Sequence, residues 1–164
     1  MSMVEEYVKE LAFGPIDSSM YDFEIRYDLG DVQVKAWPVR RIAIKEDGQR
    51  SEQGYEVVRD TSRSLLISFE DVSAVQIFDE GRQPWDQRTG LPTIGIGGDA
   101  SFCFPVLRVE NSRLKESIGP DWDEPRRSAM AHWRLISFVN CVDIFAREAS
   151  GHWNKHGIFG SKQK

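Results

Sequence analysis

Residues 23–36, with the sequence FEIRYDLGDVQVKA, decide the fold class. Apolar and polar side chains alternate on both sides of the pair Gly30-Asp31. That alternation is typical of a strand with one buried face and one face in water, and Gly-Asp is a turn signal. The stretch therefore predicts an antiparallel β-hairpin.

The same alternation recurs along the chain, at residues 42–44, 55–59, 65–69, 75–78 and 102–109. Short connections favour antiparallel neighbours, and we count about seven to nine predicted strands. We therefore predict a single α+β domain over residues 1–150, built on a strongly curved, mostly antiparallel sheet or on a sandwich. The side chains expected to face its interior are Phe23, Ile25, Val34, Ile44, Val57, Ile67, Ile77, Phe104 and Leu135.

Two short helices are predicted beside the sheet. In the first, Ser2 and Glu5 have the spacing of a capping box, and an apolar stripe follows at helical spacing, formed by Val4, Tyr7, Val8 and Leu11. We expect this N-terminal helix to pack its stripe on the sheet and to end at Gly14-Pro15. The second, internal helix follows the cap signal Asn111-Ser112 and ends at Gly119-Pro120.

The last regular segment, residues 131–148, permits two interpretations. It reads as two strands joined by a tight turn at Val139-Asn140, or as one long helix, and the pattern favours the strands. Residues 151–164 are rich in Gly, His, Lys and Gln, so we predict a frayed C-terminal tail there.

Composition excludes several classes of function. The chain has 164 residues, a length that fits one domain, and no apolar run approaches a membrane span. Its 26 acidic residues exceed its 21 basic ones, so we expect no general nucleic-acid-binding surface. The N-terminus lacks the pattern of a secretory signal, and the two cysteines stand among apolar neighbours. We therefore expect a cytoplasmic protein with reduced thiols.

No motif for catalysis or metal binding stands out. The glycine run at residues 94–99 lacks the lysine of a phosphate-binding loop. His152 and His156 have metal-ligand spacing without an obvious third ligand, and His132 is interpreted as a structural histidine. Neither the cysteines nor the serines carry a nucleophile signature; the serines considered are Ser64, Ser68 and Ser101. We predict no catalytic residue, metal or cofactor.

Tryptophans in polar loops are the more suggestive feature. Trp122 stands among acidic residues and between Pro120 and Pro125, a setting that suits either an interface anchor or a lid packed on the sheet. Trp85 has a similar polar context. The candidate partner-binding residues are Trp122, Asp121, Asp123, Glu124 and Trp85. A basic protein partner would fit the acidic residues, and the sequence also permits a homo-oligomer.

Four short segments between residues 65 and 147 resemble sequence segments of a group of small uncharacterised bacterial proteins. They are Phe69-Glu70-Asp71-Val72, Glu110-Asn111-Ser112, His132-Trp133 and Cys141-Val142-Asp143-Ile144. In size and general style of sequence the chain is similar to immunity proteins, which bind and neutralise partner toxins. The resemblance implies no catalytic residue.

The sequence therefore leads to two functional expectations. The first is a non-enzymatic protein that acts by protein–protein binding, as an immunity-type inhibitor does. The alternative is a small-ligand-binding or enzymatic β-rich domain that uses the glycine-rich residues 79–100 as a lid.

Overall fold

The computed structural model describes residues 4–46, 49–79, 81–82, 90–94 and 103–157, and gives the backbone alone for residues 43–46 and 49–55. These parts of the chain form eight strands and two short helices. In chain order they are β1 (Glu6–Lys9), β2 (Met20–Asp28), β3 (Asp31–Glu46), β4 (Gln49–Arg59), β5 (Arg63–Asp79), β6 (Val106–Glu110), α1 (Arg113–Ile118), α2 (Glu124–Ala129), β7 (Ala131–Ile136) and β8 (Asn140–Lys155).

All eight strands belong to one sheet with the order β1-β6-β7-β8-β5-β3-β2, and β4 pairs with the second half of β3. Every pairing between these strands is antiparallel, as the sequence predicts. The hairpin of residues 23–36 is confirmed, since Ile25 lies opposite Val34. The sheet is a single one, so the alternative of a sandwich is wrong for the described chain.

The sheet curls strongly along this order. The backbone amide of Phe138, just before β8, donates to the carbonyl of Met20 at the start of β2 at 3.1 Å. Three strand spacings, about 14 Å in a flat sheet, would separate β8 from β2. The contact therefore requires the sheet to bend back on itself. An irregularity between Val72 and Ala74 in β5 adds to the bend.

The hydrophobic core lies on the concave side of this sheet. Five of the nine residues expected there are buried: Phe23, Val34, Ile67, Phe104 and Leu135. Ile25 and Val57 are half-buried, and the side chain of Ile44 lies outside the described part. The prediction for Ile77 is wrong, because its side chain is 51% exposed. Ile77 lies beyond the part of β5 that pairs with β3, so at that position β5 has no neighbouring described strand on its β3 side.

The predicted N-terminal helix is wrong. Residues 6–9 form the edge strand β1, in which Tyr7 lies opposite Val109 of β6. The apolar stripe is not buried, since Val4 and Leu11 are 71% and 67% exposed. A short helix gains little in water without a packed face, whereas the open edge of β6 supplies backbone hydrogen-bond partners along one side of this segment.

The two-strand interpretation of residues 131–148 is confirmed by β7 and β8. β8 continues past the predicted domain boundary at residue 150 and pairs Lys155 with Arg63 of β5. Trp153 anchors this extension, because its indole Nε1 donates to the carbonyl of Pro15 at 3.0 Å. The remainder of the predicted tail, residues 158–164, lies outside the described residues.

The internal helix is confirmed as α1, and Ser112 caps it by accepting from the amide of Lys115. A second helix, α2, was not expected; Asp123 caps it in the same way through the amide of Arg126. Each of these helices has six residues, far fewer than a membrane span needs. Both connect β6 to β7 and so lie near one end of the sheet.

Candidate functional site

A buried polar cluster lies on the face of β7 and β8 that points away from the hydrophobic core. His132 and Arg134 alternate with core residues along β7, and Asp143 of β8 lies directly opposite Arg134. All three are at most 2% exposed. Charged side chains at such depth are rare unless they are paired, so the cluster marks this face as special.

Hydrogen bonds join the cluster into a chain of four side chains. Asp143 Oδ1 accepts from Arg134 Nε and from His132 Nε2, each at 2.8 Å. His132 Nδ1 lies 2.7 Å from the hydroxyl oxygen of Ser112, the residue that caps α1. Phe145 stacks on the imidazole at a centroid distance of 4.4 Å. The imidazole is thus held in one orientation by two hydrogen bonds and a ring.

Burial and charge set the protonation states. Burial lowers the pKa of His132, although the carboxylate of Asp143 acts in the opposite direction. Burial alone would raise the pKa of Asp143, but its hydrogen bonds and the positive charge of Arg134 outweigh that effect and lower it. Near neutral pH, Asp143 is therefore charged and His132 is neutral. Because a carboxylate can only accept, the imidazole proton sits on Nε2, and Nδ1 carries the lone pair.

The edge strand β1 completes the cluster. Tyr7 donates to Glu5 Oε2 at 3.1 Å and accepts from Arg134 Nη1 at 3.4 Å. Burial raises the pKa of Tyr7, so its hydroxyl stays protonated. Glu5 also accepts from the amide of Arg113 at 2.8 Å, which ties β1 to the start of α1.

A cleft of about 840 Å³ opens above this cluster, between β6, β7 and the two helices. Ser112 and His132 line it, so the polar chain reaches the cleft wall. Four basic and two acidic residues also line it: Arg108, Arg113, Lys115, Arg127, Glu110 and Glu116. The cleft therefore carries an excess of positive charge in a chain whose net charge is −5.

Lys115 and Arg127 are the distinctive pair in this cleft. Lys115 Nζ donates to the carbonyl of Met130 at 2.6 Å, and Arg127 Nη2 donates to the carbonyl of Gly119 at 3.0 Å. Neither side chain forms an ion pair with a described residue, and the buried Nε of Arg127 has no hydrogen-bond partner among those residues. Burial lowers the pKa of Lys115, and the charge of Arg127 lowers it further. The negative charges of Glu124 and Glu110 act in the opposite direction, but neither carboxylate forms an ion pair with Lys115.

The loop of the predicted partner-binding residues joins α1 to α2. Trp122 is half-buried and packs against Phe145 at a centroid distance of 6.3 Å. A Cβ atom on Gly119 would lie 2.2 Å from the Trp122 ring, so that glycine makes room for it. This packing favours the lid interpretation of Trp122 over the interface anchor.

The acidic residues of the loop are all exposed: Asp121, Asp123 and Glu124. Two of them have local roles, because Asp123 caps α2 and Glu124 accepts from the hydroxyl of Ser128 at 2.9 Å. Trp85, the fifth predicted residue, lies outside the described residues, as does most of the 79–100 segment proposed as a lid.

Other sequence candidates are separate from the cleft. His152 and His156 lie at the far end of β8, where His156 Nε2 contacts the hydroxyl of Ser64 at 2.8 Å. Within the described chain, no group of three or more His, Cys, Asp or Glu side chains is placed to hold a metal ion. Cys141 is buried and Cys103 half-buried, and neither forms a disulfide with a described residue.

Sequence reasoning missed the polar cluster. It treats Ser112 only as a helix cap and His132 only as a structural histidine, and it gives Asp143 no role. The available signal was the position of Asp143 within the apolar run Cys141-Val142-Asp143-Ile144-Phe145. A charge inside a buried strand needs partners, and the spacing of His132 and Arg134 would supply them on a neighbouring strand.

Comparison with known proteins identifies no relative. We found no match to a protein-family model, to a curated protein or to a solved structure. Function must therefore be inferred from the geometry of the chain itself.

Proposed function

We propose that the chain binds a small anionic ligand in the cleft between β6, β7, α1 and α2. The observation that carries this proposal is the pair Lys115 and Arg127. They line one cleft, and the charge of Arg127 lowers the pKa of Lys115; neither forms an ion pair with a described residue, although the charges of Glu124 and Glu110 act on Lys115 in the opposite direction. An anion between them would relieve the repulsion and would give the buried Arg127 Nε an acceptor.

The volume of the cleft and the polar groups at its wall favour a small ligand. Its volume of about 840 Å³ is within the ordinary range of small-molecule sites. Ser112 and His132 add a hydroxyl and an imidazole at one wall, and their positions are fixed by the cluster beneath. Such rigid polar groups orient a ligand at little entropic cost.

The test is a titration of the folded chain with small anions, using inorganic phosphate and citrate as probes. Calorimetry should show saturable binding that Lys115→Met or Arg127→Met weakens at least about tenfold, the typical loss of one charged hydrogen bond. Lys155→Met is the matched control, since Lys155 is an exposed cation at the far end of β8. Equal weakening by Lys155→Met would indicate general screening and would contradict a site in the cleft.

Protein–protein binding in the manner of an immunity-type inhibitor is the second candidate. It is favoured by the exposure of Asp121, Asp123 and Glu124 on one short loop, which could attract a basic protein partner. Trp122 is a poor probe of this idea because its ring packs against Phe145. Asp121 has no hydrogen bond to a described residue, so Asp121→Asn should weaken and slow partner association without loss of stability.

The experiment for this second candidate is affinity purification from the native host, followed by binding kinetics with any basic protein that is recovered. The association rate should fall with rising salt and with Asp121→Asn. An exposed carboxylate away from the loop, such as Glu148, supplies the control as Glu148→Gln. An association rate that is indifferent to both salt and Asp121→Asn contradicts a role for this loop.

A further inference from the structure

Ser112, His132 and Asp143 form a linear hydroxyl–imidazole–carboxylate chain. The distances are 2.7 Å from the serine hydroxyl to Nδ1 and 2.8 Å from Nε2 to Asp143 Oδ1. Because Asp143 holds the imidazole proton on Nε2, the lone pair on Nδ1 faces the serine hydroxyl, which must be the donor in that contact. This is the arrangement in which an imidazole can take a proton from a serine.

The rest of the polar cluster holds these three side chains in place, as a serine nucleophile and its base require. Arg134 donates to the same carboxylate oxygen of Asp143, and Phe145 stacks on the imidazole, so neither group can turn away. Ser112 and His132 both line the cleft, at 8% and 2% exposure, and Asp143 lies beneath them at 1% exposure. Ser112 is thus the most exposed of the three residues. The two imidazole nitrogens exchange the roles they have in the familiar triad, which leaves the proton transfer chemically equivalent.

We propose that the cleft hydrolyses a carboxylic ester that carries an anionic group, with Ser112 as the nucleophile and His132 as the general base. This inference rests on the proposed anion-binding cleft, since Lys115 and Arg127 would hold the anionic group. Asp143 and Arg134 are positioning residues, because they act through the imidazole.

The reaction balances with water as the only co-reactant. Ser112 Oγ bonds to the acyl carbon as its proton moves to His132 Nδ1. The bond to the alcohol oxygen then breaks, and the alcohol leaves with that proton. A water molecule next gives one proton to His132 and its oxygen to the acyl carbon. The carboxylic acid is released, and the proton returns from His132 to Ser112.

A second serine–histidine contact in the same chain provides an internal control. Ser64 Oγ lies 2.8 Å from His156 Nε2, but no hydrogen bond among the described residues orients that imidazole through a carboxylate. Ser64 is also fully buried, at 0% exposure, whereas Ser112 lines the cleft, so we expect Ser64 not to react.

The first experiment treats the folded chain with a fluorophosphonate probe and locates the adduct by peptide mass spectrometry. We expect labelling of Ser112, at least about 100-fold slower labelling in His132→Gln, as expected for loss of a general base, and unchanged labelling in Ser64→Ala. Ser112→Asn should abolish the adduct while it keeps α1 capped, because asparagine is a good N-cap residue. A labelled Ser64, or an unlabelled Ser112 in the folded wild-type chain, overturns the proposal.

The second experiment compares hydrolysis of 4-nitrophenyl acetate with that of the 4-nitrophenyl monoester of succinate. We expect faster turnover of the succinate ester, with the preference lost in Lys115→Met. Wild-type hydrolysis no faster than that of Ser112→Asn overturns the proposed reaction, and if phosphate still binds, the anion-binding function stands alone. Turnover that depends on Ser112 without preference for the anionic ester overturns the proposed substrate class and points away from the anion-binding cleft.

The role of Asp143 has its own readout. The labelling rate should fall as pH drops and His132 takes up a proton, and the midpoint should move to lower pH in Asp143→Asn, because the Asp143 carboxylate raises the pKa of His132. The rates are measured where circular dichroism shows that the variant is folded. An unchanged midpoint overturns the positioning role of Asp143.

Discussion

Replacing Asp143 by asparagine should destabilise the fold severely, and the structure explains the magnitude. Asp143 and Arg134 are 1% and 2% exposed, and the guanidinium Nε donates to Asp143 Oδ1 at 2.8 Å. Asp143→Asn keeps an oxygen for both donors but removes the negative charge. The guanidinium then remains buried without its main counterion, because the Glu5 carboxylate is 4.0 Å away. Breaking a buried pair in this way costs about 3–5 kcal/mol.

The double variant Asp143→Asn/Arg134→Met distinguishes the loss of the Asp143–Arg134 pair from the burial of an Arg134 charge whose nearest carboxylate has been removed. Methionine fills much of the volume of arginine without charge, so the double variant should be markedly more stable than Asp143→Asn alone. The coupling free energy of the cycle should reach at least about 2 kcal/mol. His132 keeps an acceptor for its Nε2 proton throughout, so the cycle reports chiefly on the charge pair.

Urea unfolding followed by tryptophan fluorescence measures these free energies, since Trp133 is buried in the core and becomes exposed on unfolding. The reasoning is refuted if Asp143→Asn loses less than about 1 kcal/mol, or if the double variant loses the sum of the two single variants. Either result would mean that water or a movement of the chain solvates the guanidinium, and that the cluster is not a closed charge network.

Three further outcomes follow from the same structure. Burial keeps the pKa of His132 below its ordinary value, so the unfolded chain takes up a proton before the folded chain does. The free energy of unfolding should therefore fall as pH drops below about 6.5, by at most about 1.4 kcal/mol per pH unit. Urea titrations from pH 7 to 5 should show this fall in the wild-type chain and not in His132→Gln. A Cβ atom at Gly151 would lie 2.7 Å from Phe13, so Gly151→Ala should lower the free energy of unfolding by about 1–3 kcal/mol and lower the calorimetric melting temperature. The melting temperature should barely change in the control Gly157→Ala, where a Cβ atom would meet no neighbour. Cys141 is 1% exposed and should resist iodoacetamide in the folded chain at neutral pH; rapid alkylation there would show that the thiolate is stabilised.

The sheet could be predicted because its signal is local. Each strand that alternates cleanly, such as residues 23–28 and 32–36, carries its own evidence of one buried and one wet face. The single sheet could not be distinguished from a sandwich, since both present the same alternation along each strand. What decides between them is the unbroken order of pairings from β1 to β2 in one sheet, and no local pattern encodes it.

The N-terminal segment shows where local patterns mislead. Val4, Tyr7, Val8 and Leu11 have helical spacing, yet the segment pairs with β6 as an edge strand. In that strand Tyr7 turns toward Arg134, and Val8 is left 44% exposed. The helix would have buried the apolar residues, but the edge of β6 offers backbone hydrogen bonds to residues 6–10. Tertiary context overrode a weak local preference.

The candidate site was harder to predict than the sheet because its members are polar residues with ordinary local explanations. Ser112 is a good helix cap whether or not it meets an imidazole, so its cap role concealed the contact with His132. The decisive relation is the register that sets Arg134 opposite Asp143, and a register exists only once two strands have paired. A polar residue in an apolar strand is nevertheless a warning that partners must exist, since a lone buried carboxylate would not stay charged. Asp143 therefore identifies the strand from which the site is built, and the fold supplies the hydroxyl, the imidazole and the cleft around it.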